Sequence, residues 1–169
     1  MHHRSIQFAA DFADGSRWAN VPTDPHPGVF KANGQLLPPV TSGAVVDCAG
    51  ATVSVRSQDL VTVAVVDGEI DGSNSGRWAE ALGRLTALES PLVVDLAGVT
   101  FMSGSAFRTL VALNDECNHA SRPWALVNGD GLRPLLRVFP DDGLPVVESV
   151  AAGVRQIEAN LLRAANGDE

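Results

Sequence analysis

From Gly50 onward, β-strand patterns alternate with helix patterns, and this alternation constrains the fold more than any other feature of the sequence. Two strand patterns, ATVSVRS and LVTVAVVDGEID, come first, and helix and strand patterns then take turns to the end of the chain. The order is β-β-α-β-α-β-α-β-α. Because parallel strands need a crossover connection, usually a helix, we predict an α/β fold with a mixed, mainly parallel sheet and about four helices.

The helix patterns are recognised by apolar residues that recur every three or four positions. In SNSGRWAEALGRLTALE this stripe consists of Trp78, Leu82, Leu85 and Leu88. In DGLRPLLRVF, a short helix, the residues predicted to face inward are Leu132, Leu135, Leu136 and Phe139. By contrast, PLVVDLAGV is continuously apolar and rich in β-branched residues, which is typical of a strand buried on both faces.

The first 48 residues differ from the rest of the chain. They contain five of the ten prolines, and their apolar residues follow no sustained period. We therefore predict an extended or loosely packed N-terminal arm over residues 1–48 and a single domain over residues 49–169. Aromatic side chains such as Phe12 and Trp18 are expected to dock on the domain or on a second subunit, so that the protein is a monomer or a homodimer.

Composition excludes several classes of function. The net charge of −8 and the absence of a basic stripe argue against nucleic-acid binding. The sequence contains no run of 18 apolar residues, so we predict no membrane span. The N-terminus also lacks the hydrophobic core of a signal peptide. Cys48 and Cys117 are too few for a disulfide scaffold, and Cys117 lies on an apolar helix face as a small buried thiol would. We therefore expect a reducing, cytoplasmic location, and the excess of arginine over lysine favours a bacterial source.

The segment LVVDLAGVTFMSGSAFRTLVAL contains the most informative junction of the chain. The buried strand pattern ends and a helix pattern begins at Ser103-Gly104-Ser105. Two hydroxyls and a glycine at this position could serve as a helix cap, a nucleophile, a phosphate cradle or a contact surface.

The sequence lacks the other residues that a catalytic site at this junction would need. A serine nucleophile elbow follows the pattern G-x-S-x-G, which is absent, and His119 lies about four helical turns away, roughly 20 Å at 1.5 Å per residue. The chain has no P-loop and no dinucleotide-binding glycine pattern. Metal-ligand spacing is also absent. We therefore expect no enzyme activity, no cofactor and no metal.

Three segments resemble the STAS domain family, which is named after sulfate transporters and anti-sigma factor antagonists. VAVVDGEIDGSNSGRWAEAL resembles the family's Gly-Glu-Leu/Ile-Asp segment and the helix that follows it. LVVDLAGVTFMSGSAF resembles its strand and junction, which commonly end in Phe-Met/Leu-Asp-Ser-Ser-Gly, and LRPLLRVFPDDGL resembles its short third helix and following turn. The resemblance covers about residues 50–162 with the same order of elements.

This resemblance implies an anti-sigma factor antagonist (anti-anti-sigma factor), a bacterial regulator of transcription in stress responses. In that family the antagonist binds an anti-sigma factor with an ATP-binding, kinase-like fold and so releases a sigma factor. Phosphorylation of a junction serine by the anti-sigma factor dissociates the complex. Here Gly104 aligns with the usual phosphoserine, Ser103 with the preceding aspartate and Ser105 with the following serine.

The resemblance and the helix-end argument together define a predicted partner-binding surface. It consists of Asp71, Ser103, Gly104, Ser105 and Arg108. Ser105 is the better candidate phosphoacceptor, because it matches the second serine of the motif and lies in the first helical turn. Ser103, the second candidate, is expected to cap the helix.

Three alternatives to this switch stay open. In the first, the junction is not switched at all. In the second, control moves to hydroxyls of the arm such as Thr41 and Ser42. In the third, the protein is a STAS module that senses a small ligand or nucleotide and has no role in sigma control. For the carboxylates nearby, strand alternation leaves the direction of Glu69 undecided, and Asp95 is expected to be structural.

Overall fold

The computed structural model of the protein describes residues 31–32, 35–36, 40–139 and 143–167. The strands, in chain order, are β1 (Lys31–Ala32), β2 (Gln35–Leu36), β3 (Val45–Asp47), β4 (Ala51–Gln58), β5 (Val61–Ile70), β6 (Leu92–Met102), β7 (Trp124–Val127) and β8 (Val146–Val147). The helices of the described residues are α1 (Ser75–Thr86), α2 (Gly104–His119), α3 (Arg133–Val138) and α4 (Val150–Ala165).

The main sheet has six strands in the order β3-β4-β5-β6-β7-β8, and β1 and β2 form a separate antiparallel pair. The two pairings within β3-β4-β5 are antiparallel. The three pairings from β5 to β8 are parallel, and each joins strands connected by a helix. The predicted mixed, mainly parallel sheet with four helices is confirmed.

Helices cover both faces of the sheet. On one face the predicted stripe of α1 is confirmed, because Trp78, Leu82 and Leu85 are buried and Leu88 is partly buried against the same core. Helix α2 adds apolar residues to this core, and Cys117 is one of them. On the other face α4 packs through Val154 and Ile157 in a second, smaller core.

The short helix α3 is less buried than its pattern predicts. Leu132, just before the helix, is fully buried, whereas Leu135 and Leu136 are only partly buried against the core. Phe139, just after it, stacks on Phe107 of α2 with ring centroids 5.4 Å apart. One turn of helix thus closes the end of the core between α2 and the sheet.

Both cysteines are free and buried. Burial raises the pKa of the Cys48 thiol, with a further contribution from the Asp47 carboxylate. It raises the pKa of Cys117 to about 12. Both thiols therefore stay neutral at pH 7 and act as small apolar side chains, as expected for Cys117.

The domain begins earlier than the predicted boundary at residue 48. Val40 and Cys48 are 1% and 0% exposed and belong to the larger core. Strand β3 pairs with β4 in the register Val45 to Ser54, and a backbone hydrogen bond of 2.7 Å from Gly43 to Val55 extends the ladder. Residues 40–48 are therefore part of the domain, and Val45–Asp47 are part of the sheet. The aromatic side chains of the arm, including Phe12 and Trp18, lie outside the described residues, so their docking stays a prediction.

A chain that starts at residue 40 is expected to fold with nearly full stability, whereas one that starts at residue 50 loses β3. The chain that starts at residue 40 keeps the buried side chains of Val40 and Cys48. The shorter one exposes the edge of β4 and is expected to lose about 2–4 kcal/mol of unfolding free energy from the two lost apolar contacts. Urea denaturation of both shortened chains and of the full chain measures this difference. Equal stability of the two shortened chains would show that β3 contributes nothing to the domain.

Candidate functional site

The two strand-to-helix junctions predicted to form a surface lie side by side at the carboxyl ends of β5 and β6. These strands are parallel, and Ile70 pairs with Met102 at the end of the ladder. The backbone N–H of Ser103 donates to the carbonyl oxygen of Ile70 at 2.8 Å. This bond fixes the start of α2 next to Asp71, so residues 32 positions apart in sequence share one edge of the sheet.

We call this edge the junction surface and define it by the predicted residues Asp71, Ser103, Gly104, Ser105 and Arg108. Gly104, Ser105 and Arg108 are exposed, and Asp71 and Ser103 are partly exposed. Arg108 lies one turn further along α2 than Gly104. The structure brings the two turns together, and Arg108 lies at the outer margin of the surface.

Asn74 holds the turn between β5 and α1. Its side chain is buried, and its Oδ1 accepts a hydrogen bond of 2.8 Å from the backbone N–H of Asp71. Its Nδ2 donates to the carbonyl oxygens of Glu69 at 2.9 Å and Ala49 at 3.2 Å. Asn74 occupies the N-cap position, but its side chain bonds backward to the strand ends instead of capping the helix.

The carboxylate of Asp71 is organised by its own turn. Its Oδ1 accepts hydrogen bonds from the Ser73 hydroxyl at 2.6 Å and from the Ser73 backbone N–H at 2.8 Å. These bonds hold the pKa of Asp71 below its usual range, the hydroxyl contributing most. Asp71 is therefore ionised at neutral pH and places a negative charge of defined orientation beside the second junction.

Ser103 caps α2, as predicted. Its backbone is extended, and its Oγ accepts a hydrogen bond of 3.2 Å from the backbone N–H of Ala106. The Oγ of Ser105 lies 3.1 Å from the Oγ of Ser103, so the two hydroxyls share a hydrogen bond. One hydroxyl is thus engaged with the helix, while the other is exposed in the first turn.

Gly104 lies between the two serines and is not required by the fold. Apart from its two chain neighbours and the backbone of its own helix, a Cβ atom at Gly104 would have no atom within 4 Å, in contrast to one at Gly68 in β5. At Gly68 a Cβ would lie 2.3 Å from the carbonyl oxygen of Gly50, and φ is +113°. Glycine is therefore needed for backbone geometry at Gly68, whereas at Gly104 its effect is an open, flat patch.

Phe101 and Glu69 extend the junction surface, and the sequence did not identify Phe101 as part of it. These residues pair across β5 and β6, and both are exposed, Phe101 to 50%. Burial on both faces was predicted for the stretch PLVVDLAGV, which ends two residues before Phe101. The pairing of β6 with β7 ends at Asp95, so the residues of β6 after Asp95 extend beyond the neighbouring strand. Strand length, which the sequence pattern does not define, decides this exposure.

Two further residues stabilise the frame of the site. Trp78 is fully buried, and its Nε1 donates to the carbonyl oxygen of Ala106 at 3.1 Å, which ties α1 to the first turn of α2. Asp95 accepts a hydrogen bond of 3.0 Å from the backbone N–H of Ala97. Asp95 thus stabilises β6 where its pairing with β7 ends, in agreement with the structural role expected for it.

Neither a metal centre nor a membrane span is found in the described residues. Within residues 31–32, 35–36, 40–139 and 143–167, no group of three or more histidine, cysteine, aspartate or glutamate side chains could hold a metal ion. In the same part of the chain, no helix is both long and apolar enough to cross a membrane. His119 ends α2, at the opposite end of the helix from the junction serines.

The family model of the STAS domain matches residues 52–131, which run from the second residue of β4 through β7, include both junctions and end just before α3. This segment of the chain is thus similar to STAS domains. Among curated proteins, Osmosensory protein A of Mycobacterium tuberculosis is 34% identical over 84 residues, which are 50% of this chain and 53% of that protein. The match thus spans about half the length of that relative.

Two solved structures share the fold. An anti-sigma factor antagonist from Mycobacterium paratuberculosis superposes with a TM-score of 0.58 at 24% identity, over 64% of this chain and 94% of that one. A serine-to-glutamate variant of RsbS from Moorella thermoacetica gives a TM-score of 0.53 at 19% identity, over 66% and 97%. At these identities the likeness is one of fold.

Proposed function

We propose that this protein is an anti-sigma factor antagonist. In this proposal its STAS domain binds a kinase-like, ATP-binding anti-sigma factor through the junction surface and so releases a sigma factor for transcription in the bacterial cytoplasm. The observation that carries the proposal is the junction surface itself. There an ionised carboxylate, two hydroxyls, an open glycine and an exposed aromatic ring lie together on a rigid frame.

The chemistry of this surface suits a protein partner rather than a substrate. Aromatic side chains supply much of the binding energy of protein interfaces, and a polar rim excludes water around them. Phe101 offers the aromatic group, and Glu69, Asp71 and Ser105 offer the rim. Because Asn74 and Trp78 already fix the two turns, little conformational entropy would be lost on binding.

Fold and family support the same role. The segment that carries both junctions matches the STAS family model, and its fold is shared with an anti-sigma factor antagonist from a mycobacterium. A binding role also agrees with the sequence, in which the patterns of nucleophilic, nucleotide-binding and metal-dependent enzymes are absent. We therefore propose a non-enzymatic regulator.

Replacement of Phe101 by alanine is expected to weaken binding to the cognate anti-sigma factor by roughly tenfold or more, as is typical of an aromatic interface residue. Leu162, which is 64% exposed on α4, provides the matched control, since Leu162→Ala removes an exposed apolar side chain far from the junctions. Titration calorimetry of both variants against candidate anti-sigma factors, with ADP or ATP present, measures the effect. If none of the candidates binds the unaltered protein with either nucleotide, the proposed function is wrong.

We propose Ser105 as the residue through which this binding is switched. The amides of the first helical turn carry no intrahelical partner, so a phosphate at Ser105 would be stabilised locally. It would also add nearly two negative charges next to the ionised Asp71, on a surface that must contact another protein. The Ser103 hydroxyl is engaged in the cap and is the less suitable acceptor.

Incubation with the cognate kinase-like partner and ATP is expected to place phosphate on Ser105, and Ser105→Asp is expected to lose partner binding while Ser105→Ala retains it. Mass spectrometry maps the phosphate, and calorimetry measures the binding. Because the mycobacterial relative is named an osmosensory protein, native cells should be compared at low and high external osmolarity. Stoichiometric phosphate on Ser103 would contradict the assignment, and phosphate on Thr41 or Ser42 would move the switch to the segment before β3.

A further inference from the structure

A concave site lies at the opposite end of the sheet from the junction surface. It is a cavity of about 360 Å³ between the ends of α1, α2 and α4 and the starts of β6 and β7. Its lining includes Glu89, Pro91, Ser121, Arg122, Pro123 and Leu161. This volume is in the range of small-molecule sites, and the two prolines and the leucine give it apolar walls.

Arg122 is the unusual member of this lining. It is only 9% exposed, although arginine is seldom buried without a partner. The reason is local. The backbone N–H of Arg122 donates to the carbonyl oxygen of Cys117 at 2.8 Å, and Ser121, with φ of +53°, donates to Asn118 at 3.2 Å. This pair of bonds is a Schellman motif, whose final position normally carries an apolar side chain that packs on the helix.

Among the described residues, the guanidinium group of Arg122 has no counter-ion. Among the residues that the structure describes, no side chain or carbonyl oxygen accepts a hydrogen bond from it, and no carboxylate lies within salt-bridge distance. The carboxylate of Glu89 lines the same cavity but forms no ion pair with Arg122. A charge that is buried without a partner destabilises the folded state, so the described part of the fold gives no reason for this arginine.

We propose that this cavity binds the oxyanion group of a small molecule, a carboxylate or a phosphate, which pairs with Arg122. A guanidinium group donates two parallel hydrogen bonds to either group. The exposed hydroxyl of Ser121 lies at the rim, and the apolar walls contact the body of the ligand. This site is separate from the junction surface, so the proposal does not rest on the proposed function. It gives the protein a binding site for a metabolite at the far end of the same domain.

NMR titration of the full-length ¹⁵N-labelled protein tests the proposal and separates the two chemical classes. Sodium phosphate and sodium acetate are added in parallel at pH 7, and sodium chloride of matched ionic strength is the control. The expected result is a saturable shift of the Ser121 and Arg122 amides and of the Arg122 Nε–H, while the Ser105 amide at the other end is unchanged. Shifts that do not saturate, or that chloride reproduces, would overturn the proposal.

A matched pair of arginine variants separates a binding role from a structural one. Arg122→Met is expected to weaken binding of the active anion by roughly tenfold or more. It should also leave the melting temperature in chloride unchanged or raised, because it removes a buried unpaired charge. Arg155→Met, at an exposed position of α4, should change neither. A strongly lowered melting temperature of Arg122→Met, or its failure to fold, together with an unsaturable titration of the unaltered protein, would show that Arg122 is structural.

Discussion

Replacement of Trp78 by alanine is expected to lower the free energy of unfolding by about 3–5 kcal/mol, since it leaves a large cavity in a closely packed core. Trp78 is fully buried between the sheet, α1 and α2. Urea denaturation measures the loss. The neighbouring Arg77 is exposed and provides the control, because Arg77→Ala is expected to change stability by no more than about 0.5 kcal/mol. A loss below about 1 kcal/mol for Trp78→Ala would mean that the core collapses around the missing ring.

A second substitution at the same position separates packing from hydrogen bonding. Trp78→Phe keeps most of the apolar volume but removes the Nε1 donor that bonds the carbonyl oxygen of Ala106. The expected loss from that bond is about 1–2 kcal/mol. Since this bond ties α1 to the first turn of α2, Trp78→Phe should also weaken partner binding. A substitution elsewhere in the core that lowers the free energy of unfolding by the same amount should leave partner binding unchanged.

The sequence predicted those features that depend on local periodicity. Apolar spacing located the stripe of Trp78, Leu82 and Leu85, and the alternation of strand and helix patterns predicted the order of elements along the chain and a mainly parallel sheet. The cap at Ser103 was also predictable, because the side chain that bonds the helix start is adjacent to it in sequence. In each case the interacting groups lie within a few residues of one another, or the same pattern repeats over several turns.

The features that the sequence missed depend on contacts between distant segments. Strand β3 is three residues long and has no usable period; it is defined by its pairing with β4. Asn74 resembles a helix cap in sequence, but its amide bonds strand ends up to 25 residues away. The exposure of Phe101 depends on where β7 stops, and the lack of a partner for Arg122 among the described residues depends on which carboxylates fold near it.

The candidate site also has parts that the sequence could predict and parts that it could not. Its two turns could be predicted, because each follows a strand pattern and precedes a helix pattern. Their proximity follows from the parallel pairing of β5 and β6, which the order of elements already implies. The polar side chains that stabilise each turn could not be ranked from sequence, since Ser73, Asn74 and Ser75 are equally suited to a turn and only the structure shows that Asn74 is the buried one.

Substitution of Gly104 by tryptophan is expected to have the largest effect on function. A bulky ring at this exposed position would stand between the two serines and hold a flat partner surface away from the first turn of α2. We expect the dissociation constant for the anti-sigma factor to rise by roughly 100-fold, about 2.7 kcal/mol, as for a central interface position. The smaller side chain of Gly104→Ala should give a correspondingly smaller effect.

Stability should hardly change in the same variant, and this separates a contact role of Gly104 from a structural one. No neighbouring atom lies within 4 Å of a Cβ built at Gly104, and φ is not in the left-handed region, so the free energy of unfolding is expected to shift by less than about 0.5 kcal/mol. Ala159→Trp, at an exposed position of α4 on the other face of the sheet, controls for the added ring. Calorimetric binding and urea denaturation are measured on all three variants. Parallel losses of binding and stability in Gly104→Trp would show that the glycine serves the fold, because a purely intermolecular clash leaves the isolated protein unaffected.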